Sequence, residues 1–171
     1  MRPFGYIVAS AAAVLVGCTE PKDAYSRIQT PPVALISPYE SFQPQNDVLA
    51  RIRSTGRSIT VLDDVKLSPG DPRPRYESYD IEVPDQEFCG QRGILRIYFF
   101  NQRLSSTTFY PSQAEKCFAQ LPFPELRSGK GEVTRGDTVI ATGIDYRDRP
   151  YVAYHDRRLI SELDRWVARY S

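Results

Sequence analysis

Histidine, methionine and tryptophan each occur only once in this chain of 171 residues, and lysine occurs four times. The single histidine is His155, and the three cysteines include no Cys-x-x-Cys pair. A zinc site of the usual kind needs four ligands, mostly from several histidines and cysteines. We therefore expect neither a metal site nor a bound cofactor, and the shortage of histidine weighs against histidine-dependent catalysis.

The chain also lacks an excess of charge of either sign. It has 22 basic and 21 acidic residues. Without its first 17 residues, whose one charged side chain is Arg2, the two counts are equal. Domains that bind nucleic acids are typically strongly basic, so we expect no nucleic-acid partner. After residue 18 no apolar run approaches the roughly 20 residues of a membrane-spanning helix.

The first eighteen residues are the most distinctive stretch of the sequence. An uncharged and largely apolar run follows Arg2 and extends from residue 4 to residue 16. It is too short to cross a bilayer but has the length of a signal-peptide core. The run ends in Leu15-Val16-Gly17-Cys18, which resembles the lipobox of bacterial lipoproteins. The alternative is a buried N-terminal helix that contains a cysteine by chance.

The resemblance to lipoproteins implies both a modification and a location. The chain would be cleaved between Gly17 and Cys18, with diacylglycerol on the Cys18 sulfur and an acyl chain on its amine. Two or three acyl chains anchor a protein stably, whereas one chain binds only marginally. Thr19, in place of the aspartate associated with inner-membrane retention, implies an outer-membrane lipoprotein that faces the periplasm.

Composition divides the chain into three parts. Residues 1–17 are the predicted signal peptide, and residues 18–32 are a lipidated terminus and a polar, proline-bearing tether. Residues 33–171 are long enough for one domain with a sizeable core.

Two cysteines remain once Cys18 is assigned to lipid. An exported chain meets an oxidising compartment, so Cys89 and Cys117 predict a disulfide. A metal or redox pair is the alternative, and the absence of Cys-x-x-Cys weighs against it.

Periodicity predicts an α+β domain, with an antiparallel sheet of about five to seven strands and two or three short helices. Alternating apolar and polar residues predict strands over residues 59–67, 78–83, 94–100, 104–110, 138–146 and 151–155. Helical spacing predicts helices over residues 46–54, from Ser112 and from Ser161. Capping boxes are indicated by Ser112 with Glu115 and by Ser161 with Asp164. Loops are predicted at residues 68–75, 84–93 and 122–131.

Two stretches of the chain are similar. Residues 98–104 (YFFNQRL) align without a gap with residues 153–159 (AYHDRRL). Each precedes a predicted helix, which indicates a duplicated hairpin-and-helix unit. Common β-turn composition is the alternative explanation.

Several polar groups invite a catalytic interpretation, but none has the required context. We expect His155 to be a surface residue in a turn, because no nucleophile is evident beside it. The hydroxyl run at residues 105–108 lacks a Gly-x-Ser-x-Gly or Ser-x-x-Lys setting. Asp63, Asp64 and Asp145 could meet as paired carboxylates, although turns and sheet edges explain them equally well. Residues 131–136 do not match a phosphate-binding loop.

Tyrosine is abundant, with eleven residues in the whole chain. Tyrosine combined with arginine is typical of protein-binding hot spots, although tyrosine is also a good strand former. The turn at residues 147–150 and the proline-rich loop at residues 68–75 are expected to be exposed. We therefore expect an interaction surface that includes Tyr76, Arg147, Arg149 and Tyr151.

These observations favour a non-enzymatic function. The domain loosely resembles the small α+β accessory lipoproteins of envelope assembly machines, which implies a scaffold that binds another envelope protein. A periplasmic inhibitor or immunity protein directed against a lysozyme or toxin is the alternative. An envelope enzyme is a third hypothesis, which a pocket with convergent carboxylates would support.

Overall fold

The computed structural model describes residues 31–171. The predicted signal peptide at residues 1–17, the lipidation site Cys18 and residues 19–30 of the predicted tether lie outside the described residues.

The described chain forms seven strands, three α-helices and one short 3-10 helix. The helices are α1 (Gln45–Ser54), α2 (Ala114–Ala119) and α3 (Arg157–Tyr170), and the 3-10 helix is Pro124–Leu126. The strands are β1 (Thr60–Lys66), β2 (Glu77–Phe88), β3 (Gln91–Phe100), β4 (Arg103–Pro111), β5 (Gly131–Arg135), β6 (Thr138–Ile144) and β7 (Pro150–Asp156).

All seven strands belong to one antiparallel sheet with the order β1-β2-β3-β4-β7-β6-β5. Strands β1 to β4 follow one another as a meander, and β5 to β7 form a second meander. The two meanders join through the pairing of β4 with β7. The predicted α+β class with an antiparallel sheet is confirmed, and the fold is rich in strands.

One face of the sheet carries the hydrophobic core. Ile81, Ile97, Phe109 and Val152 point to this face from four adjacent strands, and each is fully buried. They belong to one cluster with apolar residues of α1, α2 and the segment before α1. At about 25 cal/mol per Å² of apolar surface removed from water, such burial is the main stabilising contribution to the fold.

The opposite face of the sheet is polar, and α3 packs against one end of it. Trp166 of α3 donates from Nε1 to the carbonyl oxygen of Pro74 at 3.1 Å. Glu162 of the same helix accepts from Arg103 at the start of β4. The rest of this face carries one of the candidate sites described below, a cavity lined by polar side chains.

The predicted disulfide between Cys89 and Cys117 is confirmed, and the Cα atoms of the two residues lie 5.0 Å apart. Cys89 and Gly90 form the turn between β2 and β3 and have φ angles of 46° and 64°. Positive φ at both central residues is typical of a tight type I′ hairpin turn. The bond ties this turn to α2.

The predicted loop at residues 84–93 is wrong, because β2 and β3 continue through it to a two-residue turn. The pairing register shifts between Val83 and Gln86, where Pro84 and Asp85 form an irregularity. Such an irregularity accommodates a proline, which cannot donate to the ladder, and lets the strand resume beyond it.

The predicted helix starts also need correction. Helix α3 begins at Arg157, four residues before Ser161, because the Asp156 side chain accepts from the backbone N–H of Arg158 at 2.9 Å. Helix α2 has Gln113 as its N-cap residue and no side-chain cap bond, so the capping box at Ser112 is wrong. Strand β5 is an addition to the predicted elements.

The fold does not show the predicted duplication. Residues 98–104 span the turn between β3 and β4, whereas residues 153–159 pass from β7 into α3. None of the helices in residues 31–171 combines the length and the apolar character needed to cross a membrane.

Candidate functional site

The turn between β6 and β7 is organised by the side chain of Asp145. Its Oδ1 accepts from the backbone N–H groups of Arg147 at 2.8 Å and Arg149 at 3.0 Å, and its Oδ2 accepts from Nε of Arg149 at 2.9 Å. Burial acts to raise the pKa of Asp145, but the hydrogen bonds from Arg149 and Arg147 outweigh it and hold that pKa below its ordinary value. A carboxylate that binds its own turn in this way fixes the backbone in one conformation.

The tip of this turn projects an aromatic and an aliphatic side chain into solvent. Tyr146 is 80% exposed and Ile144 is 67% exposed, which makes them the two most exposed large hydrophobic residues of the described chain. The guanidinium carbon of Arg147 lies 5.1 Å from the centroid of the Tyr146 ring. We call Ile144, Tyr146 and Arg147 the turn surface. Its tyrosine and arginine are the residue types enriched at protein-binding hot spots.

Arg149 connects the turn surface to the sheet. Its Nη1 donates to Oε1 of Glu82 at 2.9 Å, and its guanidinium carbon lies 3.9 Å from the centroid of the Tyr110 ring. Tyr151 packs edge-on against Tyr110, with ring centroids 6.4 Å apart. Arg149 and Tyr151 are therefore half-buried supports of the turn, whereas Arg147 lies on its exposed side.

Tyr76, the fourth residue of the predicted interaction surface, lies at the other end of the sheet. Its ring lies 4.4 Å from that of Trp166 and 5.9 Å from that of Phe100, measured between centroids. It fills the space between the proline-rich loop and α3. The structure thus brings Arg147, Arg149 and Tyr151 together and places Tyr76 apart from them.

A second candidate site is a cavity of about 220 Å³ on the polar face of the sheet. Its lining side chains are contributed by β2, β3, β4 and β7: Asp80, Arg96, Tyr98, Ser106, Thr108 and His155. His155 lies in strand β7 and is half-buried, so the prediction of a surface histidine in a turn is wrong. Burial lowers the pKa of His155, and the negative charge of Glu132 offsets part of that change.

The remaining catalytic candidates of the sequence do not assemble. Asp63 accepts from the hydroxyl of Ser78 at 3.0 Å, whereas Asp145 is paired with Arg149, so the two carboxylates have separate partners. In the hydroxyl run at residues 105–108, Thr107 points to the core face and accepts from the backbone N–H of Ile36. No group of acidic, cysteine and histidine side chains in residues 31–171 is arranged to hold a metal ion.

Sequence reasoning located this turn but missed its two most exposed side chains. Ile144 reads as part of a strand, and Tyr146 appears only among many tyrosines. The spacing between Asp145 and Arg149 indicates the turn itself, since aspartate at the start of a short turn commonly binds the backbone two residues on, but it does not indicate that Ile144 and Tyr146 are exposed.

No protein-family model matches this sequence. None of the curated proteins matches it either.

Proposed function

We propose that this protein is a lipid-anchored lipoprotein of the cell envelope that binds another envelope protein through the turn surface and has no catalytic role. The observation that carries the proposal is the rigid turn between β6 and β7, which holds Tyr146 and Ile144 exposed. Large apolar side chains that project singly into water are common. Two of them beside an arginine, on a turn that Asp145 fixes, form a pre-organised binding surface.

Pre-organisation is the physical reason for preferring this surface. Ordering a flexible loop on association costs about 0.5–1.5 kcal/mol for each immobilised side chain. The carboxylate of Asp145 and the guanidinium of Arg149 already hold the turn in the free protein. A partner would therefore bury Tyr146 and Ile144 with little further loss of backbone entropy, and only the two exposed side chains would still have to be ordered.

The location follows from the resemblance of Leu15-Val16-Gly17-Cys18 to a lipobox. In this proposal Cys18 carries the lipid, and the domain faces the periplasm from the outer membrane. Cys18→Ser should abolish acyl labelling of the chain and release it from the membrane fraction, because the sulfur that receives diacylglycerol is lost. Unchanged labelling of this variant would contradict the anchor.

The contact surface is tested by site-specific crosslinking in the host. A photo-crosslinking residue at position 146 should capture a partner that the same residue at Val65 does not. Val65 is a suitable control because it is 43% exposed and lies on the edge strand β1, away from the turn. Crosslinks of equal yield at both positions would refute the turn as the contact surface.

An inhibitor of a lysozyme or toxin is the second candidate function, because a projecting turn with an aromatic tip also fits the cleft of an enzyme. The crosslinked product distinguishes the two functions. Crosslinks from position 146 to structural envelope proteins would support the scaffold, whereas crosslinks to a single hydrolase or toxin would support the inhibitor. In the second case, Tyr146→Ala should weaken inhibition by at least about 30-fold, as expected for a hot-spot residue worth about 2 kcal/mol.

A further inference from the structure

Four polar side chains form one row across the polar face of the sheet. Asp80 of β2 pairs with Tyr98 of β3, Tyr98 pairs with Ser106 of β4, and Ser106 pairs with His155 of β7. Directly paired residues in an antiparallel sheet point to the same face, with Cβ atoms about 4.5–5.5 Å apart. The pairing therefore brings a carboxylate, a phenol, a hydroxyl and an imidazole into one line.

The neighbouring row contributes two further lining side chains. Arg96 of β3 pairs with Thr108 of β4. The cavity of about 220 Å³ has walls from both rows, since Arg96 and Thr108 line it together with the first row.

A second cavity, of about 370 Å³, continues the hollow toward α3. His155 lies in the walls of both cavities, so they adjoin at its imidazole. The second cavity is closed by side chains of β5, β6 and the first turn of α3: Glu132, Thr134, Val139, Arg157, Ile160 and Ser161. Its floor and walls are more apolar than those of the first, because Val139 and Ile160 contribute to it.

The first cavity is polar but carries no net charge. Nε of Arg96 donates to both carboxylate oxygens of Asp80, at 3.0 and 2.9 Å, so the two opposite charges form an ion pair and neutralise each other. Burial lowers the pKa of His155, which keeps the imidazole neutral near pH 7. Burial and the neighbouring Tyr76 and carboxylates raise the pKa of Tyr98, so its hydroxyl stays protonated.

Hydrogen-bonding capacity remains for a ligand. His155 lines the cavity, but its Nδ1 is buried and has no hydrogen-bond partner among residues 31–171, so a ligand reaches that atom only if the ring shifts. The hydroxyls of Ser106 and Thr108 can each donate and accept.

We propose that this hollow binds a neutral, polyhydroxylated ring, namely a sugar unit of a glycan; that the glycan belongs to the cell envelope rests on the proposed function. A sugar ring carries adjacent groups that donate and accept, which is the capacity offered by the hydroxyls of Ser106 and Thr108. It brings no charge into a site whose charges are already paired, and its apolar face can lie on the Tyr98 ring. The first cavity, of about 220 Å³, is smaller than the range of about 300–1,000 Å³ that is typical of small-molecule sites, and the second, of about 370 Å³, is at its lower end, so the hollow suits one or two rings.

The sole histidine gives a direct test. In the full-length chain, in a detergent without a sugar headgroup, the ring resonances of His155 are the only imidazole signals of the protein. Glucose and N-acetylglucosamine are added separately while these resonances are followed by NMR. We expect at least one of them to shift the His155 signals saturably. The absence of a saturable shift with both sugars would overturn the proposal.

Charged sugar analogues test whether the site prefers a neutral ligand, and variants test the contribution of single hydroxyls. Glucuronate and glucosamine should bind more weakly than the neutral sugars, and tighter binding of either would show a site for ions and overturn the proposal. Ser106→Ala and Thr108→Val should each weaken sugar binding by up to about tenfold, since each removes one hydroxyl that lines the cavity. Tyr146→Ala is the control and should leave sugar binding unchanged. This site is independent of the turn surface, so either proposal can fail alone.

Discussion

Arg103 and Glu162 form a buried ion pair that joins β4 to α3. Nη2 of Arg103 donates to Oε1 of Glu162 at 2.6 Å, and the Glu162 side chain is 1% exposed. The guanidinium carbon of Arg103 also lies within 6 Å of the ring centroids of Phe42 and Phe100, at 5.9 and 5.8 Å. Burial raises the pKa of Glu162, even though the positive charge of Arg103 acts in the opposite direction.

We expect Arg103→Met to lower the free energy of unfolding by about 3–5 kcal/mol, because it leaves the Glu162 carboxylate buried without a partner. The loss should depend on pH. A carboxyl whose folded-state pKa lies above its ordinary value of 4.5 holds its proton longer in the folded chain. The free energy of unfolding then decreases as pH rises above 4.5, and the decrease should be larger in Arg103→Met than in the original chain. Urea unfolding at about pH 5 and about pH 8 measures the effect.

The double variant Arg103→Met with Glu162→Met is the control for this pair. It removes both charges, so it should recover most of the stability lost in Arg103→Met and most of the added pH dependence. A loss in Arg103→Met that is equal at both pH values would contradict the assignment of the effect to the buried carboxylate.

The disulfide should contribute to stability mainly through the loop that it closes. Cys89 and Cys117 are 28 residues apart, which corresponds to about 3–4 kcal/mol in the chain-entropy model. Replacing both by alanine should therefore lower the melting temperature by about 10 °C, as read by circular dichroism. Reductant should shift the original chain in the same direction and leave the double variant unchanged. A double variant as stable as the original would refute this contribution.

Gly93 in β3 should tolerate no side chain. A Cβ added there would lie 2.1 Å from the backbone oxygen of Tyr110 and 2.8 Å from the Phe109 ring. Because backbone cannot move without breaking the β3–β4 ladder, Gly93→Ala should destabilise the fold by about 3 kcal/mol or more. Gly143→Ala in β6 is a matched control, since its added carbon meets the Tyr151 side chain, which can shift. Equal losses in chemical denaturation would contradict the steric argument.

The strands could be predicted from the sequence where apolar and polar residues alternate regularly. The prediction failed where that alternation is interrupted. The pattern around Ile81 and Ile97 identifies β2 and β3, because every second residue enters the core. It could not show that β2 passes Pro84, since the irregularity that accommodates the proline depends on the pairing with β3. Strand β5 has one buried residue, Val133, and an edge strand with so little burial leaves no periodic signal.

The candidate sites depend even more on long-range pairing. Ser106 and His155 are 49 positions apart, and they meet only because β4 pairs with β7 in one particular register. A shift by one residue would move His155 to the core face. The turn surface, by contrast, is local, and the Asp145 to Arg149 spacing is visible in the sequence. What the sequence does not give is the exposure of Tyr146, which depends on how Arg149 packs on Tyr110.

His155 should titrate below its ordinary pKa of 6.5, because burial disfavours the charged imidazole. The unfolded chain then binds a proton more readily than the folded chain, so stability should rise with pH up to about 6.5 and fall on acidification through this window. NMR of the single imidazole measures its pKa directly. Glu132→Gln should lower that pKa further, since Glu132 favours the charged form, whereas Glu87→Gln, on the exposed end of β2, is the control. A titration midpoint at or above 6.5 would contradict burial as the dominant influence on the pKa of His155.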